Sequence, residues 1–374
     1  MGSIGLRGWT VAIAAGAWLG GCAETGDRYF KPIPEADYPP ATGPGEFAKP
    51  EERDEAARIA AIIEAHLRRL YPAGSIHRDA HPKAHGCVAA ILRVLPNPPN
   101  GLGVGLFAEP RTYKALVRFS NSNEDPAYPD FKGDGRGMAI KVFDPFGTPL
   151  TRGPDGQSTQ DFIMISHPTF IIADGAAYRR LIGYVDADDW LTQKLQPLLA
   201  ATALGWTGTR NMIATTSLRI DNPLNTRYWS MVPYQIGTGA AARAVKYSAM
   251  PCEATPAVVP ETTDPNYLRA AMAASLAKGG ACMRLMVQLR TDPDTQSVED
   301  PRTEWMEDKA PFYPVAEIAI PAQTFDTPAQ NAACEKETYS PWHALPEHRP
   351  LGGVNRMRKA IYERIETLRL TPRL

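Results

Sequence analysis

Asn355-Arg-Met-Arg-Lys-Ala-Ile-Tyr-Glu-Arg-Ile-Glu-Thr-Leu-Arg369, close to the carboxyl end, contains no Pro or Gly and is built from helix-forming residue types. That composition predicts a helix. At about 100° per residue, Arg358, Tyr362, Ile365 and Arg369 share one face, with Ile361 and Leu368 beside it. A tyrosine set between two arginines is an unusual surface. A free phenol titrates near pH 10, and a cation one turn away favours its ionised form. A phenolate is a hard anionic donor of the kind that binds ferric iron. By itself such a run also fits an amphipathic terminal helix with solvated arginines, so the residues upstream decide between the two.

The 374 residues make one large or two ordinary domains. With 44% hydrophobic and 22% charged residues the chain has globular composition. A net charge of −1 offers nothing to nucleic acid or to an anionic surface. The 35 prolines and 30 glycines favour turns and long connections over a helical bundle.

Arg7 is the only charge in the first 23 residues, and an apolar run from Trp9 to Leu19 follows it. The run is short for a membrane span and has the form of a secretory signal. Its end, Leu19-Gly-Gly-Cys22, resembles the lipobox of bacterial lipoproteins. Residues 1–21 are therefore expected to be a signal peptide and Cys22 a lipidated residue. The exported chain would then be anchored on the periplasmic side of a bacterial envelope membrane. Residues 22–50, rich in Pro, Gly and acid, are expected to be a tether, and 51–374 the folded domain. Cys87, Cys252, Cys282 and Cys334 lack the close spacing of a zinc site and are expected as buried thiols or one or two bridges.

Residues 51–70 are expected to form an amphipathic helix with a stripe of Ala56, Ile59, Ile62, Ile63, Leu67 and Leu70. Short apolar or alternating runs at 88–95, 115–119, 138–143 and 162–165 predict strands, as do 228–237, 244–250, 285–289 and 312–320. Residues 174–204 are helical in character. So are 265–277, with Asp264 as N-cap and Pro265 as first residue. Residues 323–350 read as irregular. The glycines at 101–105 follow no strand and have no acidic partner at dinucleotide-binding spacing, so they are a loop. Strands, then helices, then strands fit an α+β fold: a closed antiparallel β-barrel with helices outside and a ligand space against its wall or in its mouth.

Four further motifs precede the terminal helix. They are Arg78-x-x-His81-x-Lys83, Arg118-Phe-Ser120, Arg136-Gly-x-Ala-x-Lys141, and Glu335 with Tyr339-Ser-Pro341. Pro82 argues against a helix that would put His81 and His85 on one face, which weakens a zinc reading. Taken in order with Arg358-x-x-x-Tyr362 and Arg369, these motifs resemble the haem-binding core of catalases over about residues 78–369. The resemblance implies haem b, with Tyr362 as axial ligand to the iron and Arg358 as its charge partner. It implies His81 as the distal acid–base, ahead of His85, with Ser120 orienting it. Arg78, Arg118 and Arg369 would hold the haem propionates, since guanidinium grips carboxylate in a bidentate fork. Phe170 would stack on the ring, and His167 and His348 would be structural. The family's distal asparagine has no counterpart in Gly156-Gln-Ser-Thr-Gln-Asp-Phe162, and the family's C-terminal portions have none in this chain.

The resemblance therefore implies the reduced bacterial catalase-related group. Its members would reduce hydrogen peroxide or an organic hydroperoxide with a small electron donor, and oligomeric state stays open. A fatty-acid hydroperoxide isomerase or lyase of the same superfamily is the alternative, and a non-catalytic haem or apolar-ligand carrier is a third reading.

Overall fold

The structure is a computed structural model that describes residues 26–72, 75–185, 190–253 and 255–371. The expected signal peptide and Cys22 lie outside the described residues. Strands β1 (Ala84–Val94), β2 (Thr112–Asn121), β3 (Arg136–Phe143) and β4 (Thr159–Ile165) form an antiparallel meander. Later come β5 (Tyr228–Trp229), β6 (Tyr234–Ile236), β7 (Arg243–Pro251), β8 (Ala281–Leu289) and β9 (Phe312–Ile320). β9 pairs with β1, and the two-residue β5 pairs with both β4 and β7. That short strand closes an antiparallel barrel of eight strands, to which β6 adds on the free end of β7. The run expected as one strand at 228–237 is thus broken in two. Met231 takes a positive φ of 58° and Pro233 has no N–H for a ladder, so pairing stops between them.

Alternation along the strands sorts the two faces. On β2, Val117 and Phe119 join the buried core, while Arg118 and Ser120 point to the opposite side. A bulge in the β1–β2 register between Ala84 and Gly86 shifts the pattern by one residue at His85.

Helix α1 (Glu52–Leu70) packs against α6 (Gly353–Leu370) and against α2 (Gly175–Val185), which in turn packs on α3 (Trp190–Thr216). The helix expected at 174–204 is therefore two elements, and the second continues past the positive-φ Gly205 to Thr216. Helix α4 spans Tyr267–Lys278 and begins later than expected. Asp264 instead makes a local turn, accepting from the Asn266 N–H, and the Pro265 carbonyl accepts from Asp130 N and Lys83 Nζ. The irregular stretch contains a further helix, α5 (Pro328–Lys336), whose N-terminus is a capping box between Thr327 and Gln330.

The described part of the expected tether does not hang free. Glu46 and Glu52, with Glu299, surround the buried Arg356 of α6 at 2.6, 2.8 and 3.1 Å. Glu46 also pairs with Arg349 at 2.6 Å. Acidic residues that look like linker composition are therefore consumed in neutralising a buried guanidinium, which seats the segment and locks the start of α6. All four cysteines among the described residues are paired. Cys87–Cys334 joins β1 to α5, and Cys252–Cys282 links β7 to β8.

Candidate active site

A cavity of about 450 Å³ lies between the outward face of β2–β4 and helix α6. Ligand pockets commonly fall in this size range. Arg78, His81, Arg118, Ser120, Phe170, Arg358, Tyr362 and Arg369 all line it. Residues up to nearly 300 positions apart in sequence thus converge on one space, because the strand wall and the terminal helix pack face to face.

On the α6 side, Arg358 Nη2 donates to Tyr362 Oη at 2.9 Å, and Nη1 donates to Asn355 Oδ1 at 3.1 Å. Asn355 is itself pinned, donating to the Pro233 and Leu351 carbonyls at 2.9 and 3.1 Å. Burial works against the Arg358 charge, but the Tyr362 and Tyr234 phenols hold it above its ordinary range. Asn355 is a brace that the sequence reading missed; its position three residues before Arg358 is the signal that could have found it.

On the strand side, His81 sits at φ 62° just before β1. Its Nδ1 lies 2.8 Å from the Asn121 carbonyl oxygen and 3.1 Å from Ser120 Oγ. A carbonyl only accepts, so the proton belongs on Nδ1 and the Nε2 lone pair is left free. Burial, helped by the Arg118 charge, pushes the imidazole pKa down to about 4. Arg118 also donates to the His81 carbonyl at 2.7 Å. A Cβ on Gly137 would stand 2.6 Å from both His81 Nδ1 and Ser120 Oγ, so only glycine leaves room for this pair. His85, the weaker candidate, does not line the cavity; it is buried near Asp130, with Nδ1 3.7 Å from a carboxylate oxygen.

At one end the cavity is strongly basic. Glu335 pairs with Arg78 at 2.9 Å and with Arg369 at 3.6 Å. Burial and the neighbouring Arg78 charge push Arg118 down to about 9 and Arg369 to about 10. Burial holds the adjacent Glu337 carboxyl above its usual range. The Nε atoms of Arg118 and Arg369 are buried without a hydrogen-bond partner, and so is the Tyr339 hydroxyl, another cavity group. Unmet buried donors beside excess positive charge call for an anionic ligand. No residue of 156–162 lines the cavity; from β4 the wall is contributed by Ile163, Met164 and Ile165. A phenol backed by a guanidinium, apolar walls and a basic end fit a metal-bearing planar ring with carboxylate side groups.

The barrel with its surrounding helices is a catalase-like fold. Solved structures that share it include a fungal catalase, at 18% identity and TM-score 0.63, covering 90% of this chain and 65% of that one. Catalase A from Saccharomyces cerevisiae aligns at 17% identity and TM-score 0.61, covering 83% of this chain and 64% of that one. A bacterial catalase aligns at 17% identity and TM-score 0.57, covering 90% and 64%. The chain thus spans just under two thirds of the length of these proteins, and at such identities the likeness is one of fold. No family model matches the sequence, and no curated protein matches it.

Proposed function

We propose that this protein is a haem-dependent peroxidase with a catalase-like fold. It would bind haem b and reduce hydrogen peroxide or an organic hydroperoxide at the expense of a small electron donor. The observation that carries the reading is the convergence of Tyr362–Arg358 from α6 and His81–Ser120 from the strand wall on one cavity with a three-arginine end. Tyr362 would hold the iron, with Arg358, braced by Asn355, donating to its phenol oxygen. Arg78, Arg118 and Arg369 would bind the carboxylate side groups, with the Nε donors of Arg118 and Arg369, which lack partners in the protein, available for them. Phe170 would pack on the ring. When bound, the haem supplies the redox centre at which the O–O bond is cleaved.

The protein's own part in the reaction is proton handling. His81, neutral with Nε2 free, can take the proton from one peroxide oxygen and return it to the other. Ser120 and the Asn121 carbonyl hold the tautomer that makes this possible. Fixing these groups before substrate arrives removes the cost of orienting them in the reaction. The cavity wall from β4 offers no polar donor to a small peroxide, and this favours organic hydroperoxides and peroxidase turnover over disproportionation. The same apolar wall supports the second reading, a fatty-acid hydroperoxide isomerase or lyase, which product analysis with lipid hydroperoxides distinguishes. The anchor at Cys22 and the periplasmic location belong to this proposal as well.

Reconstitution with haem tests it. The expected result is a tyrosinate-ligated ferric spectrum that is lost in Tyr362→Phe, together with peroxide-dependent oxidation of a phenolic donor. A spectrum that survives Tyr362→Phe unchanged overturns the assignment.

A further inference from the structure

His81 accounts for only part of the proton traffic that reduction of a hydroperoxide requires. Turning it into an alcohol and water consumes two electrons and two protons. The Nδ1 proton of His81 is held by the Asn121 carbonyl, and a carbonyl oxygen passes no proton onward. His81 therefore exchanges protons with the cavity alone, through Nε2. The protons that are consumed have to arrive with the electron donor, and a donor that sheds a proton needs a base where it binds.

The cavity holds a second imidazole. His343, only 3% exposed, lines it together with Thr338, Tyr339 and Ser340. Its Nδ1 lies 3.0 Å from Asp161 Oδ2. A carboxylate only accepts, so Nδ1 carries the proton and Nε2 keeps its lone pair. No hydrogen bond among the described residues occupies that Nε2. Asp161 is fully buried behind the ring. Its Oδ2 also accepts the Ser340 N–H at 3.1 Å, its own N–H donates to the His343 carbonyl at 2.7 Å, and Lys141 Nζ stands 3.7 Å away. Strand β4 and the 340–343 stretch thus hold the imidazole in one tautomer, as a carboxylate does for an acid–base histidine. His85 and His348, the other fully buried histidines, line no part of the cavity.

The surroundings indicate what that base would meet. Arg152 is exposed and also lines the cavity, so the space reaches the surface there. Thr151 Oγ1 donates to the Trp342 carbonyl at 2.8 Å, and a Cβ on Gly153 would stand 3.9 Å from His343 Cε1. His343 hence sits just inside this opening. Ala139 and Ile163, two residues along β3 and β4 from Lys141 and Asp161, give the adjoining wall an apolar surface. The Tyr339 hydroxyl there is buried with no hydrogen-bond partner. An apolar wall, one free hydroxyl and one base suit an uncharged ring that carries an O–H.

We propose that His343 is the base of a donor site, that Asp161 is its positioning residue, and that the donor is an uncharged phenol. The proposal rests on the haem peroxidase reading above. The phenol O–H donates to His343 Nε2. On oxidation that O–H bond breaks: the proton passes to Nε2, the electron to the centre that the peroxide has oxidised, and a phenoxyl radical departs. Asp161 offsets the imidazolium charge so formed. Nε2 then returns the proton to the cavity, where the peroxide oxygen that the alcohol does not keep becomes water. One hydroperoxide and two phenols thus give one alcohol, one water and two phenoxyl radicals.

The test compares two donors in the haem-loaded full chain. Guaiacol loses a proton with its electron, whereas ferrocyanide loses an electron alone. His343→Gln should lower the rate with guaiacol about 100-fold and the rate with ferrocyanide less than about threefold. Asp161→Asn, whose amide can donate to Nδ1 and so drive the ring proton to Nε2, should show the same bias. Either variant decides on its own. At rest, without peroxide, the guaiacol-induced change in haem absorption gives a dissociation constant, which His343→Gln should raise about tenfold. Equal losses with both donors would make His343 a structural residue and overturn the proposal, as would an unchanged guaiacol rate. A wild-type chain that takes up no haem overturns both readings, whereas a loaded chain whose variants match it overturns this one alone.

Discussion

Gly137 leaves the space in which the imidazole of His81 sits. Gly137→Ala would drive a methyl group to 2.6 Å from His81 Nδ1 and Ser120 Oγ, far inside contact distance. On the proposed function, haem loading should persist in this variant while the rate of reaction with peroxide falls about 100-fold or less, in the range associated with a displaced acid–base group; stopped-flow absorbance measures it. The motif Arg136-Gly137 was legible in the sequence, but the reason for its glycine was not, because the crowding comes from a loop 56 residues earlier and a strand 17 earlier. The pH response follows from burial. His81 is held down to about 4 and His348 to about 3, in both cases chiefly by desolvation. His348 is neutral by geometry too, since its Nε2 accepts the Leu106 N–H at 3.0 Å. In the unfolded chain both take a proton near pH 6.5, so the unfolded state binds more protons below that pH and folding weakens as pH drops. Each histidine should cost about 2 kcal/mol by pH 5, read as a fall in denaturant midpoint between pH 7 and pH 5. Over the same interval the peroxide rate should stay flat, failing only toward pH 4, where a histidine of ordinary pKa would already have lost most of its activity.

Helix α6 depends on one buried charge. Arg356 is fully buried and bonded to Glu46, Glu52 and Glu299. Arg356→Ala removes the cation and leaves three carboxylates to repel one another. We expect a loss of about 3–5 kcal/mol in chemical denaturation, with the segment around Glu46 becoming the first site of proteolytic cleavage. Helix α5 offers a smaller effect. Thr327→Ala removes a capping-box hydroxyl and should cost about 1 kcal/mol. Periodicity exposed α1, α6 and most strands because each buries one face. It missed α5, whose short run of Ala, Gln and Asn has no apolar stripe, although the Thr327–Gln330 box was there to be read. It also ran β5 and β6 together, since a positive φ at Met231 leaves no mark in residue type.

Across the whole molecule, the two disulfides should differ in weight. Cys87–Cys334 closes a loop of 247 residues and Cys252–Cys282 one of 30. On loop entropy alone the first contributes about 5.5 kcal/mol and the second about 3.6 kcal/mol. Replacing each pair by Ser should therefore lower the denaturation midpoint more for Cys87/Cys334, which also carries α5 and its Glu335 against the barrel. The pairing could not be read from spacing, because partners 247 residues apart meet only after the sheet has closed. The sequence alone determined the kinds of element, the barrel class and the identity of the chemical groups, because burial patterns and titratable side chains are local properties of residue order. Only the tertiary structure decided that the Tyr362 helix and the His81 strand wall bound one cavity, that Glu46 neutralises Arg356, and that Asp161 holds His343 against the same space. Those are contacts between distant segments, and their energies exist only once packing has brought the segments together.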